Sequence, residues 1–224
     1  MSLFIMLNIV ATPIGNLKDI TYRAIEILKE SDYILSEDTR RTGKLLKHYE
    51  IENKLISYND FNKEKKTSHI IKDLKEGKNL SLVTDAGTPG ISDPGFYIVR
   101  ECIKNNIQVT SIPGACAAIT AIVASGLPTD KFTFYGFLPK TSGKFEQIIN
   151  EIKEREETAI IYESPHRIDK TLNRLSKLIP DAKIVIAREL TKKFEEFIRG
   201  TPQQIIEQTK NRTIKGEIVL LINP

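Results

Sequence analysis

A two-domain α/β protein is the fold class this sequence predicts, and three observations predict it. Short β-rich runs alternate with helical patterns through the first half, as parallel α/β units do. A cluster of turn formers, SGLPTD at Ser125 to Asp130, then breaks the apolar pattern. After it a second series of strands and helices begins. The chain of 224 residues suits one large α/β domain or two small ones, and the break places the domains at 1–124 and 125–224.

Taken in order, the first domain reads as strand Leu7 to Ala11, helix Thr21 to Ser31, strand Tyr33 to Glu37, helix Thr39 to Tyr49, strand Leu55 to Ser57 and helix Asn62 to Glu76. Strands Leu80 to Thr84 and Gln108 to Ile112 follow, each ending in a loop marked by glycine or proline and then a helix. The helix Ala115 to Ala124 is apolar all round, which predicts burial rather than amphipathic packing. In the second domain Phe132 to Phe137 reads as a strand, and Phe145, Ile148, Ile149 and Ile152 make the core stripe of the next helix. The strand Thr158 to Tyr162 runs into Ser164-Pro165, read as an N-cap with proline at the first helical position. Strands at Lys183 to Ala187, Phe194 to Arg199 and Glu217 to Ile222 complete the unit, with Thr201 to Gln204 forming a capping box.

Composition narrows the class. The chain is 40% hydrophobic, 28% charged and 7% aromatic, as globular proteins are and disordered or fibrous chains are not. Its formal charge of +4 permits a nucleic-acid partner without requiring one. Cys102 and Cys116 lie apart and without a nearby histidine, so neither a zinc site nor a disulfide framework is indicated, and a reducing cytoplasm is the natural setting. The apolar start MSLFIML has no basic leader or cleavage site, and no apolar run approaches the roughly 18 residues of a membrane helix.

The most informative stretch is TDAGTPGISDPG, Thr84 to Gly95, placed directly after an apolar strand. Glycine allows close backbone approach and proline stiffens the loop, so N–H and C=O groups are held ready for a small molecule. In open α/β sheets, ligands bind at the carboxyl ends of strands. The alternative is a long turn with side-chain caps from Asp85 and Asp93. Two companions favour a ligand site: ATPIGN, Ala11 to Asn16, and IPGACA, Ile112 to Ala117, also end strands. None of the three is a dinucleotide fingerprint or a P-loop.

TPIGN, EDTR at Glu37 to Arg40, DAGTPGISDPG, IPGACA, ESPHR at Glu163 to Arg167, ARELTKKFEEFIRG at Ala187 to Gly200 and KGE at Lys215 to Glu217 resemble, in that order, the ribosomal RNA small subunit methyltransferase I family. The resemblance covers nearly the whole chain. It implies the tetrapyrrole methylase (class III methyltransferase) fold, with the cofactor cleft between domains, and a homodimer that uses S-adenosylmethionine to methylate the ribose 2′-oxygen of the P-site cytidine in 16S rRNA or the small subunit. Carried over by position, it implicates Ile14, Ala86, Gly87, Thr88, Ile91, Cys116, Ala117 and Glu163 in holding the donor. Small and apolar positions suit a ligand held by backbone groups, with the Thr88 hydroxyl as a directional partner. Cys116 stands where relatives often have Ser or Thr, and Thr88 where tetrapyrrole-modifying cousins carry Asp. Many members continue past the final strand of this chain into a small extension, expected to help hold RNA.

Methyl transfer to a hydroxyl needs alignment and a proton acceptor. Glu163, His166, Glu189 and Lys192 are the candidate proton handlers, with Glu163, His166 and Lys192 the leading set; a histidine there also reads as a surface residue. Arg40, Arg167, Arg188, Lys192, Arg199 and Lys215 are the candidate RNA contacts, though any one of them also reads as a solvated or ion-paired side chain. Phe134, Tyr135, Tyr162 and Phe197 are candidates to stack an unpaired base, or core. No metal site is expected. Two other functions fit the same donor loops: a methyltransferase acting on a tetrapyrrole or other small molecule, and a donor-sensing module without chemistry.

Overall fold

The computed structural model describes residues 6–93 and 95–224; the apolar start at residues 1–5 and Pro94 of the second glycine loop lie outside the described residues. The chain divides into two compact units, Met1–Cys116 and Ala117–Pro224.

The first unit alternates β1 (Met6–Val10), α1 (Tyr22–Glu30), β2 (Tyr33–Ser36), α2 (Thr39–His48), β3 (Leu55–Ser57), α3 (Lys63–Lys75), β4 (Leu80–Val83), α4 (Gly95–Lys104) and β5 (Gln108–Ile112). The five strands pair in the order β3-β2-β4-β1-β5, all parallel. The central strands are mostly apolar because both faces are covered, with Asn8, Ser36 and Ser81 buried among them. Alternate side chains go to opposite sides. Ile9, Leu35 and Leu82 pack with Ile70, Leu74 and Ile98 of α3 and α4, while Val10, Ile34 and Val83 pack with Ala24, Leu28 and Leu46 of α1 and α2. Parallel pairing puts the carboxyl ends of all five strands at one edge, where the glycine loops emerge.

The second unit holds α5 (Ala117–Val123), β6 (Phe132–Phe137), α6 (Ser142–Arg155), β7 (Thr158–Glu163), α7 (Ile168–Leu178), β8 (Lys183–Arg188), β9 (Glu196–Gly200), α8 (Pro202–Thr209) and β10 (Ile218–Asn223). Its sheet order is β6-β7-β10-β8-β9. Only β6 and β7 are parallel, and the last strand inserts antiparallel between β7 and β8. One face carries the core of Phe145, Ile149, Ile161, Leu172, Ile186 and Leu220.

Two local expectations need correction. Regular helix after β7 begins at Ile168, four residues past Ser164, although the Ser164 hydroxyl accepts from the His166 amide at 3.2 Å as an N-cap does. The Ser164 carbonyl accepts from the Arg167 and Ile168 amides at 2.9 and 3.1 Å, so Ser164 to Arg167 form a separate turn ahead of the helix. The helix α5 is not wholly buried: Ala118, Ala121 and Ile122 are covered, but Ile119 and Val123 are 46% and 70% exposed. The capping box forms as expected, with the Thr201 hydroxyl accepting from the Gln204 amide at 3.3 Å and the Gln204 side chain accepting from the Thr201 amide at 2.8 Å.

Candidate functional site

Three strand-end loops of the first unit are fastened to one another. Thr12, just past β1, exchanges two backbone hydrogen bonds with Gly87, Thr12 N to Gly87 O at 2.9 Å and Gly87 N to Thr12 O at 3.0 Å. The Thr88 hydroxyl donates to the Ala115 carbonyl at 3.0 Å, which ties the loop after β4 to the loop after β5. Gly114 lies so close to the first loop that a Cβ there would fall 2.9 Å from the Ala11 Cβ. Gly87 has φ +83°, and an added Cβ would stand 3.3 Å from Ile14 Cγ2. Glycine is required here twice over, by the left-handed backbone and by the missing space.

The structure thus brings Ile14, Gly87, Thr88 and the loop carrying Cys116 together. Ile14 is buried, while Ala86 and Ile91 stand exposed on the second loop. Ala117 opens α5 and Glu163 ends β7, both in the second unit. The Thr88 hydroxyl proton is used inside the loop cluster rather than offered to a ligand, so only its oxygen lone pairs remain as a directional partner.

The second loop is held open by carboxylates. Both oxygens of Asp93 accept from the Gly90 amide, at 2.8 and 2.9 Å, and Oδ1 also accepts from the Gly95 amide at 2.8 Å. Capping by Asp93 therefore coexists with the loop cluster and is not an alternative to it. Glu37, one residue past β2, accepts from the Thr84 hydroxyl at 2.6 Å. Asp85 accepts from the Asp38 amide at 3.1 Å, and Arg41 lies 3.4 Å from its carboxylate. Burial first, then the neighbouring Glu37 charge, raise the Asp85 carboxyl above its ordinary value, against the opposing Arg41.

A raised carboxyl binds its proton more tightly in the folded state than in the unfolded one, so ionised Asp85 subtracts stability once the pH exceeds that raised value. Asp85→Asn keeps an oxygen for the Asp38 amide and loses an exposed ion pair of small worth. The variant is expected to melt at a higher temperature than wild type at pH 7. The gain should disappear as the pH falls below about 3.9, where the wild-type group is protonated in both states. Thermal melts across that range check it; no gain at pH 7, or a gain that persists in acid, would contradict the assignment.

In the second unit several side chains expected to meet ligand or RNA have partners within their own chain. Glu163 has no exposed side-chain surface. Its Oε2 accepts from the Thr171 hydroxyl at 2.7 Å and its Oε1 from the Ser164 amide at 2.8 Å, with Arg167 Nε at 3.5 Å. One oxygen is engaged by the Ser164 turn and the other by α7, so Glu163 ties the turn to the helix. Lys192 Nζ sits 2.9 Å from both Glu189 and Glu217. Burial would lower its ammonium, but the two carboxylate bonds outweigh it and raise the group. Lys192 is therefore held protonated, unable to act as a base, with its charge met by its own chain. The Lys192 bond lowers the Glu189 carboxyl, which makes it a weak base.

Arg199 donates from Nε to Ser125 O at 2.9 Å and from Nη2 to Ala124 O at 2.7 Å, closing the end of α5. Arg188 donates to the carbonyls of Lys215 and Phe194 and pairs with Glu196 at 3.3 Å. Arg40 pairs with Asp38 at 2.7 Å on an exposed helix start, and that interaction holds the Asp38 carboxyl well below the usual range. Arg167 donates to Leu138 O at 2.9 Å. His166 and Lys215 stay exposed. Among the expected stacking residues, Phe134 and Tyr162 meet edge to face at 4.9 Å, Tyr162 also meets Phe137 at 5.9 Å, and Phe197 lies under the Arg199 guanidinium. Tyr135 packs against the core. Sequence reasoning did not single out Thr12 or Gly114, whose roles arise from contacts between distant segments.

A parallel five-stranded sheet with three fastened loops at its carboxyl edge, followed by a mostly antiparallel α/β unit, is the architecture of a class III methyltransferase. Residues 6–206 match the model of the Tetrapyrrole (Corrin/Porphyrin) Methylases. The chain is 50% identical over 216 residues to a protein of Halalkalibacterium halodurans named ribosomal RNA small subunit methyltransferase I, covering 96% of this chain and 75% of that one. A protein of the same name from Hydrogenobaculum is also 50% identical, over 97% of this chain and 95% of its own length. Among solved structures, diphthine synthase aligns with a TM-score of 0.77 at 15% identity over 97% of this chain and 89% of that one, a likeness of fold. The chain belongs to the ribosomal RNA small subunit methyltransferase I family of the tetrapyrrole methylases. Its methyl donor is S-adenosylmethionine. The fastened loops fit such a ligand: backbone groups of the Thr84 to Cys116 loops would hold it beside Ile14, with Ala86 and Ile91 exposed on the second loop.

Proposed function

We propose that this chain methylates the ribose 2′-hydroxyl of the P-site cytidine in 16S rRNA. The observation that carries the proposal is the 50% identity, over nearly the whole chain, to proteins named ribosomal RNA small subunit methyltransferase I. When bound, S-adenosylmethionine supplies an electrophilic methyl group on sulfur. The protein's own tasks are to hold donor and acceptor aligned, worth several orders of magnitude in rate, and to take up the hydroxyl proton. Glu163 is closed and Lys192 is held protonated, so of the leading candidates His166 is the acceptor of that proton. The reading extends to a homodimer, which would give the exposed Ile119 and Val123 a cover.

The test incubates purified protein with labelled donor and small ribosomal subunits lacking their own modifications, then maps the label by mass spectrometry of nuclease digests. The expected result is one methyl on a cytidine ribose. His166→Ala is expected to keep RNA affinity and lose 10²- to 10⁴-fold in rate. A methyl on a base ring, or transfer to a tetrapyrrole and none to RNA, would overturn the acceptor assignment; an unaltered rate in His166→Ala would remove that residue's role.

A further inference from the structure

We infer that the groove between the β6–α6 loop and the first turns of α7 is a docking site for the phosphodiester backbone of RNA, reached through Lys140 and Lys170. This rests on the rRNA reading above and adds a surface to it. The groove is an open cavity of about 430 Å³ lined by Lys140, Phe145, Ser164, His166, Arg167, Lys170, Thr171 and Arg174. Arg167, Lys170 and Arg174 follow one another at i, i+3 and i+7 along one face of α7, and Lys140 approaches from the loop ahead of α6.

The charges are not equivalent. Arg167 lies 3.5 Å from Glu163, and Arg174 lies 3.7 Å from Glu146. Among the described residues neither Lys140 nor Lys170 has an ion-pair partner, and both are exposed. Four cations against two carboxylates leave a positive wall, to which the amino end of α7 adds its own partial charge. The neighbouring surface of α6 has the opposite sign: Glu146, Glu151 and Glu154 line a second depression there. A polyanion is thus drawn to one side of α6 and repelled from the other.

The groove is built chiefly to read charge. Phe145 is 1% exposed, and the Arg174 guanidinium covers its ring at 3.6 Å from the centroid, so the Phe145 face is not open to stack a base. Arg174 further donates to Ser142 O at 3.0 Å, which fixes the guanidinium as part of the wall. Two free lysines act as point charges on phosphate and carry no sequence information. The expected ligand is therefore a run of phosphates, held regardless of base identity.

Filter binding of 16S rRNA across roughly 50 to 200 mM salt tests this with Lys140→Ala/Lys170→Ala. Each lost contact removes about 0.7 to 0.9 from the log–log salt slope, so the double variant is expected to lose about 1.4 to 1.8. The KM for RNA should rise with kcat, donor affinity and melting temperature unchanged, and Lys140→Arg/Lys170→Arg should restore the slope. An unchanged slope in a double variant, while wild type binds and methylates rRNA, overturns the groove and leaves the function standing. Wild type that binds no rRNA at all overturns both. Inorganic phosphate is the control for a small-anion site: if it raises the melting temperature of wild type but not of the double variant, while RNA binding is the same in both, the groove takes a free anion and the inference fails.

Discussion

Gly87→Val is expected to lower the affinity for S-adenosylmethionine by at least about a hundredfold, roughly 2.7 kcal/mol, in a protein that remains folded. Two effects act together. Gly87 sits at φ +83°, which a β-branched residue adopts only at a strain of about 1–3 kcal/mol. Its Cβ would also stand 3.3 Å from Ile14 Cγ2 and 3.7 Å from the Ala115 carbonyl oxygen, with two further methyl groups still to place. The loop can relieve the strain only by letting go of Thr12, whose amide and carbonyl both pair with Gly87, and the loop cluster opens with it. Gly87→Ala carries the backbone strain with less bulk and should fall between. Calorimetric titration with the donor, beside a thermal melt, separates lost binding from lost folding. A folded Gly87→Val protein that binds the donor as wild type does would show that these loops are not the donor site.

The loop cluster proposed to hold the donor was legible because its signal is local. Glycines and prolines crowded behind an apolar strand mark a shaped loop, and the parallel α/β rhythm says at which sheet edge the loops emerge. The strand and helix positions of the first unit follow from the same rhythm, since both faces of a parallel sheet are apolar. The second sheet was less legible: nothing in the run Ile218 to Asn223 tells that it inserts antiparallel between β7 and β8. Least legible were the basic side chains. A sequence names Arg188, Lys192 and Arg199 as cations, but only the fold tells that their partners are carbonyls and carboxylates of the same chain. Lys140 and Lys170, unremarkable in sequence, are the ones left without such partners. Ser164-Pro165 has the composition of a helix start, and the Ser164 hydroxyl does cap the His166 amide, but a turn intervenes and regular helix begins four residues later at Ile168.

Glu163 consequently carries the second large effect. In Glu163→Ala the Ser164 amide and the Thr171 hydroxyl lose their acceptor, and Arg167 loses its carboxylate. A buried donor left unpaired costs about 1–3 kcal/mol, so the variant is expected to lose about 3 kcal/mol of stability. Its melting temperature should fall by several degrees, and the Ser164 to Arg167 turn should loosen, seen as faster hydrogen exchange of the Arg167 and Ile168 amides. Glu163→Gln keeps one carbonyl oxygen where the carboxylate had two, so it can serve one of the two donors and should lose about half as much. A proton-accepting role predicts a different pattern: Glu163→Gln would abolish turnover and leave the melting temperature and amide exchange at their wild-type values. With the carboxylate shut away from solvent and both its oxygens engaged by α7 and the turn before it, the graded loss of stability from wild type through Glu163→Gln to Glu163→Ala is the expected outcome, and the abolished-turnover pattern is the one that would return Glu163 to the chemistry.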